Sequence, residues 1–466
     1  MNVVVLLLAL GLLMFVAYRG YSVILFAPIC ALLAVLATDP ALVAPAYTSV
    51  FMDRLANFVK LYFPVFMLGA VFGKVIEISG FSKAIVSSVV RLVGPSRAML
   101  SIVLVCAIMT YGGVSLFVVV FAVYPFAAEL FRQVDIPKRL IPGTIALGAF
   151  TFTMDALPGT PQIQNIIPTT FFQTTTWAAP WLGVVGATFI FIVGMSYLEF
   201  NRRRAAAAGE GYTSGGKYPL ENEPEPFEDE MLPNAFLAIL PLVLVFVLNR
   251  VFTDLIPELY GETFQFALGS GAPTPIAIGK IAAIWAVIGA LIVGVLFVVV
   301  SAFGSVRMRF GDGTKLAIAG ALLATLNTAS EYGFGGVVAS LPGFDTVRLA
   351  LEAIPNPLVN EAVTVTVLAG ITGSASGGMS IALAAMAEQF IANAHAANIP
   401  LEVLHRVASM ASGGMDTLPH NGAVITLLAV TGLTHRQSYK DIFAITVIKT
   451  LAVAVIISFY YLTGIY

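Results

Sequence analysis

The chain has 466 residues, of which 58% are hydrophobic and 11% charged, with a formal net charge of −2. A soluble domain carries about 25% charged residues, so a water-soluble fold is excluded. Many separate apolar runs of about 17–25 residues match transmembrane helices, and the short alternating segments of a β-barrel would not give such runs.

An all-α polytopic membrane protein embedded in the lipid bilayer is therefore expected. The near-neutral charge identifies no partner, and no nucleic-acid partner is expected. Cys30 and Cys106 stand in apolar context, which gives no disulfide framework and no metal site. No cofactor is expected, and the absence of a GxxxxGK[ST] pattern argues against direct ATP drive. Met1-Asn2-Val3-Val4 has no basic region, so the first span reads as uncleaved.

In chain order, the apolar pattern predicts spans over 3–18, 21–38 and 59–78, a hairpin over 98–131, a broken span over 140–172 and a span over 181–199. The second half repeats the order: 234–253, 276–303, 316–342, a hairpin over 358–393, a broken span over 404–433, and 440–466. Segments 82–97 and 344–356 read as short interfacial helices. Residues 1–200 form the first repeat and 234–466 the second. Between them, 201–233 is rich in Gly, Pro and Glu and reads as a flexible linker. Arg202-Arg203-Arg204 at its start places it in the cytoplasm, with both termini periplasmic.

The duplication rests on short matches. Met154-Asp155-Ala156-Leu157-Pro158 returns as Met415-Asp416-Thr417-Leu418-Pro419, an offset of 416 − 155 = 261. Tyr111-Gly112-Gly113 pairs with Ser376-Gly377-Gly378, Asp135-Ile136-Pro137 with Asn398-Ile399-Pro400, and Gly80-Phe81 with Gly343-Phe344. Basic residues fall on opposite loops of the two halves. Arg132, Lys138 and Arg139 flank the first Ile-Pro loop, while Ile391 to His405 has none. Arg436 and Lys440 follow the second broken span, while Thr169 to Pro180 has none. Inverted-topology repeats of this kind bind substrate where helices are interrupted near the bilayer midplane.

Polar groups inside apolar spans are costly and mark candidate sites. The hairpin turns offer Tyr111, Gly112, Gly113 and Ser115, and Ser374, Ser376, Gly377 and Gly378. Gly-Gly ahead of a new helix leaves N–H groups for an anion; close helix packing is the other reading. The helix breaks offer Asp155, Gly159, Thr160, Gln162 and Asn165, and Asp416, His420 and Asn421. Either aspartate also suits an N-cap. A third cluster holds Asn327 and Glu331, whose first-half counterpart falls near Gly69. A desolvated carboxylate takes up a proton readily, which suits a proton carrier. His395, His405 and His435 read as surface residues in loops.

The stretches YGGVSLFVVVFAVYPFA, MDALPGTPQIQNIIPT, NTASEYGFGG and SGGMDTLPHNGAVITLLAVTGL resemble the gluconate:proton symporter family of the ion transporter superfamily, and most nearly its D-β-hydroxybutyrate permease branch. The resemblance implies a proton-coupled carrier of small hydroxylated monocarboxylates in the bacterial inner membrane. It also implies a homodimer with a scaffold and a mobile, elevator-type transport domain. Gluconate carriers have a histidine- and proline-rich stretch where this chain has LPGTPQ, which favours a smaller acid.

The expectation is a non-enzymatic proton symporter for 3-hydroxybutyrate, with gluconate-like acids second. The hairpin and break residues would hold the anion, and Glu331, Asp155 or Asp416 would carry the proton. Sodium coupling is the nearest alternative, because freed carbonyls at the breaks suit Na⁺. A remote alternative is an intramembrane aspartyl protease with an Asp155–Asp416 dyad, although the Gly-x-Gly-Asp context is absent.

Overall fold

The computed structural model describes residues 2–19, 21–94, 97–213, 232–267, 274–419 and 421–466, without the side chains of residues 2, 14, 17, 18, 347, 348, 351 and 352. Helices α1 (Asn2–Tyr18) and α2 (Val23–Thr38) are aliphatic on all faces, and Leu7, Leu8, Phe15 and Leu25 remain exposed to what lipid would cover. Asp39 ends α2, and its carboxylate accepts from the Ala41 N–H to start a 3₁₀ turn at Pro40–Leu42. That turn leads through α3 (Val43–Ala46) and a π-turn at Tyr47–Phe51 into α4 (Met52–Ile78). The helix begins seven residues before the expected 59, because Arg54 is accommodated against the Tyr332 ring, 5.9 Å from its centroid.

Gly80, at φ +79°, turns the chain into α5 (Phe81–Val93). A hairpin of α6 (Ala98–Tyr111) and α7 (Leu116–Gln133) follows. The first broken span is α8 (Leu140–Ala149), α9 (Phe152–Asp155) and α10 (Ile163–Phe172), and α11 (Pro180–Ala207) completes the half. The second half runs α12 (Ala235–Tyr260), α13 (Ala282–Ser301), α14 (Phe303–Ala339), α15 (Pro342–Glu352), the hairpin α16 (Pro357–Thr372) and α17 (Ala375–Ala396), the broken pair α18 (Leu401–Gly413) and α19 (Gly422–Thr431), and α20 (His435–Thr463). Six described helical stretches are long and apolar enough to cross a membrane.

Three expectations need correction. The span expected from 276 starts at 282, because Thr274–Ala277 (β2) pairs antiparallel with Thr263–Phe266 (β1) in a mostly exposed β-hairpin on an otherwise all-α fold. The span expected from 316 starts at Phe303. Arg307, Arg309, Asp312 and Lys315 hide this first third from hydropathy, and exposed helix tolerates them well. Third, the stretch from 201 does not begin as a flexible linker. Residues 201–207 continue α11, and the chain beyond is tied down. Arg139 donates twice to the Glu210 carboxylate, at 2.8 and 3.0 Å, and the Tyr212 N–H donates to Asp135 Oδ1 at 2.8 Å. Residues 214–231 of the linker lie outside the described residues.

Helices α4 and α14 pack against each other, with α2 on α14 and α13 on α4. The short α15 lies on α1, and α5 lies on α12. The hairpins pack on the broken spans of their own halves, α6 on α8 and α16 on α18, while α11 packs on α20. The halves interlock where α10 meets α17 and α18, and where α19 meets α7. Small residues permit this closeness. A Cβ at Gly148 would strike Val103 and Cys106 of α6, and one at Gly378 would strike the Ala369 backbone. Lipid supplies no hydrophobic drive between helices, so such contacts carry the packing.

Candidate functional site

Each hairpin turn is held to a helix break. In the first half the turn follows Tyr111, whose hydroxyl donates to Pro158 O at 2.6 Å. Gly113 adopts φ +97°, the left-handed region that favours glycine, and a Cβ there would come within 3.2 Å of Pro161. Pro158 and Pro161 cannot continue a helix, so α9 stops at Asp155 and α10 starts only at Ile163. Gln162, the N-cap residue of α10, donates from Nε2 to Thr110 O at 2.7 Å. In the second half Asn421 has the same position. Its Oδ1 caps α19 by accepting from Ala423 N–H, and its Nδ2 donates to Gly373 O at 2.8 Å and to Asp416 Oδ1 at 3.0 Å. An amide at the start of each second half-helix thus clamps the opposing hairpin turn.

The turns do not match as the sequence pairing implies. Gly373, at φ +67°, is the equivalent of Gly113, and Ser374 is the N-cap equivalent of Ser115. Ser374 Oγ accepts from Gly377 N–H at 3.1 Å, and Ser374 O accepts from Gly378 N–H at 2.9 Å. Gly377 and Gly378 therefore lie inside α17 with their N–H groups used, and Gly378 serves hairpin packing. Gly112 packs against Leu242 of α12.

Several expected binding groups are engaged within the protein. Thr160 donates to Thr153 O at 2.7 Å. Asn165 is fully buried, and its Nδ2 donates to the carbonyls of Thr160 and Thr176. Gly159, at φ +78°, donates to Thr176 O, and its carbonyl accepts from Asn249 Nδ2 at 2.9 Å. Ser115 and Asn327 are half-buried, and Ser376 Oγ lies 3.4 Å from Thr328 Oγ1. Neither aspartate is the N-cap of the half-helix that follows it, a place held by Gln162 and Asn421. His420 lies outside the described residues.

Glu331 is 4% exposed and reaches from α14 to the first turn of α17, where a Cβ at Gly377 would collide with its carboxylate. The positive end of a half-helix favours such a carboxylate.

At the centre lies a set of residues that the sequence reading missed. His405 is fully buried rather than in a surface loop, because α18 already begins at Leu401. Its ring bridges Thr174 Oγ1 at 2.7 Å and Asn165 Oδ1 at 3.2 Å. Arg406 is also fully buried. It donates to Ala178 O through Nε and Nη2, and through Nη1 to Asp155 O at 3.1 Å and Asn165 Oδ1 at 3.0 Å. Lys449, at mid-length in α20, lies 3.8 Å from Asp155 Oδ2. Glu361 of α16 is fully buried, and both its oxygens lack a hydrogen-bond partner among the described residues. Lys449 and Glu361 were visible as lone charges in apolar spans. Arg406 was masked by its closeness to the Ile399-Pro400 turn.

This is a desolvated polar centre between interrupted helices, with cations, carboxylates and freed carbonyls at membrane depth. Irregular backbone survives there only when protein groups or an aqueous cavity satisfy it. No family model matches the chain. It is 58% identical over 473 residues to the uncharacterized transporter YxjC of Bacillus subtilis strain 168, with both chains covered in full. The chain belongs to the family of that transporter. The crystal structure of the YdaH transporter of Alcanivorax borkumensis, described as having an unusual topology, is similar in fold. The TM-score is 0.52 at 14% identity, over 90% of this chain and 88% of that one. The protein is a multi-pass, all-α membrane transporter.

Proposed function

We propose that the protein is a proton-coupled symporter that imports a small hydroxylated monocarboxylate, 3-hydroxybutyrate before gluconate-like acids, across the bacterial cytoplasmic membrane. The observation that carries this reading is the paired clamp of hairpin turns on helix breaks, with Glu331 laid on the first turn of α17. The substrate carboxylate would take the helix starts at Ser115 and Ala375, where dipoles and N–H groups favour an anion. Thr160 and Asn165 act as supports of the first break, since their hydrogen bonds are spent there. Glu331 would hold the coupling proton and leave α17 as substrate arrives. The hairpins, broken helices, α11 and α20 would then move against α4 and α14.

The test is uptake of labelled 3-hydroxybutyrate into proteoliposomes under an inward proton gradient, with gluconate as competitor. Uphill accumulation that an uncoupler abolishes and gluconate leaves intact supports the reading. Full concentrative uptake by Glu331→Gln removes Glu331 as the proton carrier. Accumulation abolished by gluconate moves the substrate to the sugar acids.

A further inference from the structure

Lys449 stands in an otherwise aliphatic stretch of α20, 1% exposed. Its ammonium donates to Phe150 O at 2.5 Å, a carbonyl freed where α8 stops. Asp155 Oδ2 lies 3.8 Å away, and Asp155 Oδ1 has no hydrogen-bond partner among the described residues. The second break lies on the same helix, with Thr446 Oγ1 of α20 2.6 Å from Thr417 Oγ1. The ammonium thus sits between a helix-end carbonyl and the buried Asp155 carboxylate. Carriers with broken helices hold Na⁺ with such freed carbonyls, and hard cations take carboxylate oxygens.

The other ionisable groups on elements packed against α20 are turned elsewhere. Arg406 and His405 of α18 serve Asp155 O, Ala178, Asn165 and Thr174. Arg139, ahead of α8, pairs with Glu210 and Asp441, and Glu199 of α11 pairs with Arg202 and Arg203. Glu361 of α16 forms no ion pair among the described residues. The first half offers Thr188 at the position matching Lys449 by the offset of 261, with no charge in its neighbours Gly186 and Ala187, so the ammonium is an addition of the second half alone.

We infer that Lys449 is a built-in cation: its ammonium fills, between the two helix breaks, the place that a bound Na⁺ would otherwise take. A tethered charge with three donors satisfies the same oxygens without capturing an ion. Transport then runs without Na⁺. Only that last consequence rests on the carrier reading above.

The test is thermal unfolding of the purified protein in NaCl, KCl and choline chloride at constant ionic strength. Wild type melts at one temperature in all three. Lys449→Ala melts lower in choline and recovers by several degrees in Na⁺, saturably, as a ligand of the folded state requires. Stabilisation of wild type by Na⁺ alone overturns the inference, as does a Lys449→Ala protein that no small cation restores. Should Lys449→Ala not fold, the neutral pair Asp155→Asn with Lys449→Met replaces it. That protein is expected to show no cation preference, and a Na⁺-specific shift in it overturns the inference. In proteoliposomes, Lys449→Ala loses at least about 10-fold of uphill uptake in choline and regains it in Na⁺. If wild type carries none of the acids offered, the substrate reading fails while the melting series still decides the role of Lys449.

Discussion

Arg406→Met is the most informative single perturbation of the polar centre. The substitution keeps apolar bulk and removes four hydrogen bonds to three acceptors. Asp155 O retains the Ser409 hydroxyl at 2.8 Å, and Asn165 Oδ1 retains His405 at 3.2 Å. Ala178 O loses both guanidinium donors and becomes a buried orphan, at a cost of about 1–3 kcal/mol. Loss of the two remaining charged bonds adds about 1.5–3 kcal/mol each. The total, about 4–9 kcal/mol, is comparable with the whole stability of an ordinary domain, about 5–15 kcal/mol. Arg406→Lys should recover little, because one ammonium cannot span acceptors on both sides of the first break. The assay is fluorescence-detected size exclusion followed by a melting curve in detergent. The expected result is loss of the monodisperse peak or a melting temperature lowered by more than about 8 °C. A monodisperse Arg406→Met protein melting within about 2 °C of wild type would refute the reasoning.

Gly377→Ala should leave folding intact but cut uptake at least about 10-fold, because its methyl collides with the Glu331 carboxylate; Gly422→Ala, which meets nothing within 4 Å, is the matched control. Gly113→Ala forces an L-residue to φ +97° and presses on Pro161, and should lower stability by about 1–3 kcal/mol in a melting assay. Asn421→Ala should cost about 1 kcal/mol more than Gln162→Ala, because both lose the clamp but only Asn421 also caps its helix. Asp441→Ala removes the acceptor of Arg139 and Tyr197, and should raise protease cleavage between 201 and 233 by loosening the Arg139–Glu210 tie.

The helices were legible because lipid-facing and core-facing residues are both apolar, which leaves long runs bounded by Gly, Pro, Asn and Asp. The same rule hid what it could not describe. Residues 303–315 form helix yet carry four charges, and hydropathy reads such a segment as loop. The β-hairpin of Thr263–Phe266 and Thr274–Ala277 is too short and too exposed to alternate. The Gly-Gly match misled for a different reason. Glycine in a turn serves φ, as at Gly113, whereas glycine in a helix serves close approach, as at Gly378. One letter covers both uses, so the pairing of Gly112-Gly113 with Gly377-Gly378 slipped by about a helical turn from the structural match of Gly113 with Gly373.

The two halves share breaks but not the means of satisfying them. Tyr111, Thr160 and Asn165 of the first half meet Pro158 O, Thr153 O and Thr160 O, but the remaining carbonyls of the first break are met from the second half: Arg406 and Ser409 reach Asp155 O, Arg406 reaches Ala178 O, and Lys449 reaches Phe150 O. The second break is met by its own half: Tyr439 and Thr446 on Thr417 O, and His435 on Pro419 O. A broken helix in lipid cannot leave such groups unpaired. The first break is therefore stable only while α18 and α20 lie against it, whereas the second carries its partners along. Any transport motion must keep α8, α9, α18 and α20 together as one body. The charges at Arg406 and Lys449, absent from the matching positions Ile145 and Thr188, are what bind that body across the duplication.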